Sequence, residues 1–442
     1  MVGLAGDLNS LSRLSQLYVV IALLTALVYA AIFLAQGAPW LWIVVWILGF
    51  SMAAAAAHRP ESGIAAYLVI LYSTPRYEVL FNLLFDSHLL HVTTLFSVSG
   101  VTLWMLRNGR RLRLRSPQLR LGLALFAWFV LSALFATSEP LQATVSQTAQ
   151  NPRHSSAFLF DAFMLLGIAS QVMNDWTSSR WLILPLAIGL SIRVLWQGFE
   201  GLRLEGDIGP LLVMLLPLLM LIVQVDESRP VKMLMAAAAV GVLPAVAVTY
   251  NRGSVVALAV VVAFASWKYR RSVWILAAAA ICVAAGAFWL TTSPYRGRFQ
   301  EAWRELKGTE VGSVTERFDL WRSGFAIAID HPILGVGPGH YVSVARRYSS
   351  KGHGLVAHNT FVQMAAETGF CGLGLFLALF GAAFATSPRA ARGTPRDWTV
   401  ATAAAVQISI AAYLTAGLFI SRHDMVLAYV LVGWAASLGD GR

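Results

Sequence analysis

Apolar runs of near 20 residues recur from end to end of this 442-residue chain. A helix of about 20 apolar residues is long enough to cross the hydrocarbon core of a bilayer. On that criterion about 14 spans are predicted. They lie near 17–36, 38–57, 63–84, 88–106, 119–137, 156–173, 181–199, 208–225, 231–249, 253–267, 272–291, 359–385, 398–420 and 424–439. Pro75, Arg76 and Glu78 fall inside the third, which predicts a broken or partly interfacial helix, and the tenth is short. Leu17 to Gln36 has no small-residue cleavage site behind it and reads as a retained span. The expected architecture is all-α and polytopic, with about 12–14 transmembrane helices. It divides into spans over 1–292, a long polar loop over 293–357 and C-terminal spans over 358–442.

The polar loop has helical patterning of its own. Tyr295, Phe299, Ala302 and Leu306 repeat at helical spacing with arginines between them, which predicts an amphipathic helix lying on the membrane. Ser313-Val314-Thr315-Glu316 is a capping box, and Val314, Phe318, Trp321 and Phe325 predict the apolar stripe of a second helix. His331-Pro332 ends that helix, and Gly335-Val336-Gly337-Pro338-Gly339-His340 predicts a tight turn. The glycine run lacks the Lys-Ser/Thr of a phosphate-binding loop and the strand and helix that frame a dinucleotide site. Its glycines are expected to let backbone approach a neighbour or a substrate.

Composition agrees: 57% of residues are hydrophobic, only 12% are charged, and mean hydropathy is +0.66. These values exclude an ordinary soluble domain. The net charge of +11 does not point to nucleic acid, because positive-inside loops account for much of it and no nucleic-acid motif is present. Arg107 to Arg115 is the most basic short loop and is expected in the cytoplasm. Alternation from there puts Arg229, Lys232, Lys268, Arg270, Arg271, Arg389, Arg392, Arg396 and both termini inside. The 293–357 loop then lies outside, yet it carries Arg296, Arg298, Arg304, Lys307, Arg317, Arg322, Arg346, Arg347 and Lys351. Retained basic charge on the outer side points to an anionic ligand or to anionic lipid headgroups. Cys282 and Cys371 both sit in apolar runs and read as packing residues.

The candidate chemistry collects where the loop meets the next span. Asn359, Gln363 and Glu367 fall at i, i+4 and i+8, on one helix face, with His358 at the top. Polar groups at membrane depth are costly and are functional candidates by default. A histidine at this boundary is suited to remove a proton near neutral pH, with Asn359 or Glu367 to orient it; Glu367 alternatively shares a proton with another neighbour. Arg252 stands where an apolar helix meets the outer face, Arg193 lies near the outer end of a span, and Arg203 lies just beyond it. His331, His340 and His353 share the loop with His358, but their spacings fit no short metal motif, so no metal site is expected.

Three motifs in order carry a family resemblance. Asn251-Arg252-Gly253-Ser254 opens a span. Glu316-Arg317-Phe318-Asp319-Leu320-Trp321 and His331-Pro332-Ile333-Leu334-Gly335-Val336-Gly337-Pro338-Gly339 lie in the loop. His358-Asn359 and Glu367-Thr368-Gly369 enter the following span. Over residues 200 to 385 this resembles the O-antigen ligase and polymerase superfamily of bacterial envelopes. The arginine motif here reads Asn-Arg-Gly where Ser-Arg-Gly is common. The resemblance implies a fold like the C-type membrane glycosyltransferases. It also implies transfer of a glycan from undecaprenyl diphosphate to a hydroxyl on the outer face of the bacterial inner membrane. In a ligase that hydroxyl belongs to lipid A–core. Within this frame His358 is the expected general base, and Arg252 and Arg317 clamp the diphosphate. Arg322 is a stand-in for Arg317, Arg193 and Arg203 line the same site, and His340 and Tyr341 touch sugar. No cofactor is expected, since the donor is already activated. O-antigen polymerase and protein O-oligosaccharyltransferase share these motifs, and a lipid-linked oligosaccharide flippase is the competing reading from another class.

Overall fold

The computed structural model describes residues 50–51, 53–73, 89–110, 112, 114–136, 152–199, 208–249, 251–268, 313–350, 355–386 and 398–439. The spans expected at 17–36 and 272–291, most of that at 38–57, the end of that at 63–84, the amphipathic helix at 295–306 and Arg203 all lie outside these residues. The helices are α1 (Glu61–Ser73), α2 (Leu89–Arg107), α3 (Pro117–Leu134), α4 (Pro152–Val172), α5 (Trp176–Phe199), α6 (Ile208–Val225) and α7 (Arg229–Val248). They continue with α8 (Arg252–Lys268), α9 (Ser313–Asp330), α10 (Tyr341–Tyr348), α11 (Thr360–Phe384), α12 (Trp398–Ala416) and α13 (Val426–Gly439). The chain is an all-α polytopic membrane protein. Among the described residues, α3, α6, α7, α11, α12 and the first 20 residues of α5 are long and apolar enough to cross a membrane. Lipid offers the backbone no partners, so a span must bond to itself, and a helix does so residue by residue.

Two compact units divide the chain. One holds residues 1–114 and 171–190, the other 115–170 and 191–442. This division is by compactness, while the expected boundaries at 292 and 357 follow membrane topology, so they describe different things. In the first unit α1 packs closely on α2: a Cβ at Gly63 would lie 2.7 Å from the Ser97 hydroxyl. Arg59 also stacks its guanidinium 4.7 Å over the Trp181 ring.

The second unit carries the candidate chemistry. Here α6 lies against α7, α8 and α12, while α11 packs on α3, α9, α12 and α13. Ser409 of α12 donates to the Met214 carbonyl of α6 at 2.7 Å, a polar tie inside an otherwise apolar contact. Large side chains on α7 such as Met233, Leu234 and Val240 are exposed, as expected for a lipid-facing helix.

Helix α9 forms over the expected residues, but its buried face is not the expected stripe. Leu320, Ser323, Gly324, Ile327 and Ala328 turn inward, while Phe318 and Phe325 are about half exposed. Small residues let this face sit close: a Cβ on Gly324 would meet Val362 at 2.4 Å. Both faces of α9 are apolar, so a stripe of large residues did not identify the inner one. Ile327 packs with Val336, Tyr341, Val342 and Ala357 into one small core beneath the loop.

Candidate functional site

The centre is built on a break in α11. Gly369 has φ 71° and ψ 178°, a conformation essentially restricted to glycine, and it divides α11 into two segments. The normal bond from the Phe370 amide to the Ala366 carbonyl is replaced by two others. Phe370 N donates to Pro332 O at 2.8 Å, and Ala366 O accepts from Val336 N at 3.0 Å. Gly337 N adds a bond to Glu367 O at 2.9 Å. Helix α3 covers the remaining carbonyls: Ser132 Oγ donates to Leu334 O at 2.6 Å and to Glu367 O at 3.0 Å, and Trp128 Nε1 donates to Thr368 O at 2.9 Å. The turn 331–339 is thus joined to the broken helix by backbone bonds. A Cβ at Gly335, whose φ is +68°, would lie 2.3 Å from the Glu367 carbonyl carbon. The glycines serve backbone-to-backbone approach, to a neighbour in the fold.

His358 stands at the upper end of α11. Its φ of 50° makes it the one described non-glycine residue in the left-handed region. Histidine enters that region more readily than most side chains, yet neighbours must still hold it there. Trp321 Nε1 donates to the Ala357 carbonyl at 2.9 Å on one side. On the other, Asn359 caps α11, its Oδ1 accepting from Phe361 N at 2.9 Å and Val362 N at 3.1 Å. Thr360 N then donates to Gly417 O at 2.7 Å and Thr360 Oγ1 to Ile420 O at 2.7 Å. His358 itself is half-buried. Asn359 therefore acts on the backbone through its cap.

The arginines come from two further elements. Arg252 is the first residue of α8, where Asn251 Oδ1 accepts from Ser254 N at 3.2 Å. A Cβ at Gly253 would lie 2.5 Å from the Phe419 Cβ, so this helix start presses on the same turn that holds Thr360. Arg317, half-buried in the first turns of α9, approaches Arg252. Burial first, and then the charge of Arg252, hold its guanidinium below the usual arginine range, against the opposing pull of Glu316. Two guanidinium groups that repel one another would suit a doubly charged anion.

Glu367 is fully buried two turns below His358. Gln363 Nε2 donates to its Oε1 at 2.9 Å, and the backbone N–H groups of Gly339 and Tyr341 approach the same carboxylate. Its Oε2 lies 3.5 Å from Nε2 of His423, also buried. His423 was not among the residues singled out by sequence. The available signal was Ser421-Arg422-His423-Asp424, four polar residues between two spans with almost no loop.

The other expected residues are placed as follows. Tyr341 is fully buried and donates its hydroxyl to Leu320 O at 2.6 Å. Burial, with Glu367 and Asp319 nearby, pushes its phenol well up, and no face is left for a sugar. His340 caps α10 half-buried, with Nδ1 3.1 Å from Pro338 O. Arg322 is exposed, and at five residues from Arg317 it lies about 140° around the helix, so the two do not share a face. Arg193 is buried in α5, one turn before the buried Gln197. Among the described residues no three His, Cys, Asp or Glu side chains cluster as metal ligands would.

No curated protein matches the chain. Residues 237–377, from within α7 to within α11, match the family model described as O-Antigen ligase, and this match over about a third of the chain supports the O-antigen ligase/polymerase superfamily.

Proposed function

We propose that the protein is an O-antigen ligase, transferring a glycan from undecaprenyl diphosphate to a hydroxyl of lipid A–core on the periplasmic face of the inner membrane. The observation that carries this reading is that Arg317, half-buried on α9, feels the charge of Arg252 at the start of α8. Paired guanidinium groups suit a diphosphate better than a neutral sugar. In the proposed step, His358 takes the proton of the acceptor hydroxyl. The freed oxygen attacks the anomeric carbon, the bond from that carbon to the phosphate oxygen breaks, and the diphosphate leaves with the electron pair. Arg252 and Arg317 meet the charge that develops on it. One base and one direct displacement give inversion and require no metal. The left-handed backbone at His358, braced by Trp321 and the Asn359 cap, supports a side chain held for one task.

The test is transfer in vitro. Purified protein is mixed with undecaprenyl-diphosphate glycan and lipid A–core in EDTA, wild type beside His358→Ala. Metal-independent transfer that disappears in the folded variant supports the reading. Lengthening of the donor glycan with nothing added to lipid A–core makes the protein a polymerase, and transfer only to a protein acceptor makes it an O-oligosaccharyltransferase. Normal transfer by His358→Ala refutes the base.

A further inference from the structure

The turn between α12 and α13, residues 417–425, touches both sides of the centre. At its start, Gly417 O and Ile420 O accept from Thr360 N and Oγ1, and Arg422 N returns a bond to Thr360 Oγ1 at 3.1 Å, two residues from His358. In its middle, Phe419 packs on Gly253, next to Arg252. At its end stands His423, whose Nε2 is 3.5 Å from the Glu367 Oε2. Phe129 covers the imidazole face, ring centroids 6.3 Å apart and nearly parallel, and Tyr429 donates to the His423 carbonyl at 2.9 Å.

An imidazole and a carboxylate buried together are costly beside two apolar residues of similar size. The cost is higher here because His423 Nδ1 has no hydrogen-bond partner among the described residues, and 3.5 Å is long for a bond at Nε2. Packing alone does not call for such a pair. Its location does: Glu367 is the residue onto which the glycine turn closes, and His423 belongs to the turn that holds Thr360.

We infer that His423 is a positioning residue, whose buried contact with Glu367 fixes the 417–425 turn and so sets the separation of Arg252 from His358. The inference rests on the roles given to those two residues above. His423 touches neither substrate nor reacting atoms; it acts through the turn. Releasing it lets the base and the clamp drift apart, and a displacement of about 1 Å at a reacting group costs about 100-fold in rate.

The experiment compares His423→Ala, His423→Gln and Glu367→Gln, each alone, and His423→Ala with Glu367→Gln together. Amide hydrogen exchange over 355–363 and 417–423 is read first, since it needs no activity. His423→Ala is expected to speed exchange at Thr360, whose amide bonds to Gly417, while α12 and α13 stay protected. His423→Gln, which keeps a hydrogen-bonding group, is expected to recover much of the protection. In transfer assays His423→Ala is expected to lower kcat about 100-fold with KM for the donor nearly unchanged. The double variant should be no worse than the worse single one, because both remove the same contact. Unchanged exchange at Thr360 overturns the proposal, as do additive losses or a loss confined to KM. If His423→Ala unfolds, His423→Gln and Glu367→Gln carry the same comparison. Absence of transfer by wild type refutes the proposed function, while the exchange result still decides whether His423 holds the turn.

Discussion

Replacing Gly369 by alanine tests the weld between the glycine turn and α11. A Cβ there would lie 2.1 Å from Ile333 O, 2.4 Å from Ile333 C and 2.7 Å from Pro332 O, all backbone atoms. No rotamer relieves such contacts, so the turn must withdraw by about 1 Å to reach tolerable separations. The Phe370 N to Pro332 O bond is the first to break, and the bonds from Val336 N and Gly337 N loosen with it. At about 1 kcal/mol for the broken bond, about half that for each of the two loosened ones, and about 1–3 kcal/mol for alanine in a glycine-only backbone conformation, the local loss is roughly 3–5 kcal/mol. Since about 1.4 kcal/mol is a factor of ten, the turn should open roughly two to four powers of ten more often. Amide exchange of the Val336 and Gly337 region in detergent or nanodiscs measures this directly. Gly374→Ala on the same helix is the control, because a Cβ there meets nothing within 4 Å. Gly369→Ala that protects the turn like wild type, or Gly374→Ala that exposes it equally, would refute the reasoning.

His358→Asn keeps a residue tolerant of the left-handed backbone while removing the imidazole; transfer should fall about 100- to 10,000-fold with exchange over 355–363 unchanged. Arg252→Lys and Arg317→Lys keep the charge and lose the forked donors, so each should lower kcat/KM for the diphosphate donor, measured by initial rates, far more than Arg322→Lys. Tyr341→Phe removes the phenol donor that Leu320 O has besides its helix bond, which should destabilise the loop by about 0.5–1.5 kcal/mol in exchange experiments and leave KM for the donor unaltered.

The membrane helices were legible because a span is a local property of one stretch of sequence. Helix α6 runs over the predicted 208–225, and α11 over 360–384 against 359–385. The turn at 335–339 was equally plain from its glycines. Its partner was not, because close approach to Glu367 and Thr368 depends on a second stretch some thirty residues away. The apolar stripe of α9 did not identify its inner face, because large apolar residues are tolerated on either side of a helix lying at a membrane. His423 was not singled out, and only folding reveals that a residue 56 positions beyond Glu367 lies 3.5 Å from it. The polar stripe at 359, 363 and 367 was visible from spacing alone, but its members do different work: Asn359 caps, Gln363 donates to Glu367, and Glu367 faces His423.

The turn that holds Thr360 lies some sixty residues after it, and the donor that closes onto Leu334 lies some two hundred residues before it. A chain inserted into the membrane in order from its N-terminus acquires these contacts last. Arg252 reaches the bilayer long before the 417–425 turn braces His358. On the proposed function, diphosphate recognition can therefore precede a competent base during synthesis, but transfer cannot. In that reading an unfinished chain holding donor lipid has no positioned group to activate water or a stray hydroxyl, so the activated glycan is not wasted before the enzyme is whole.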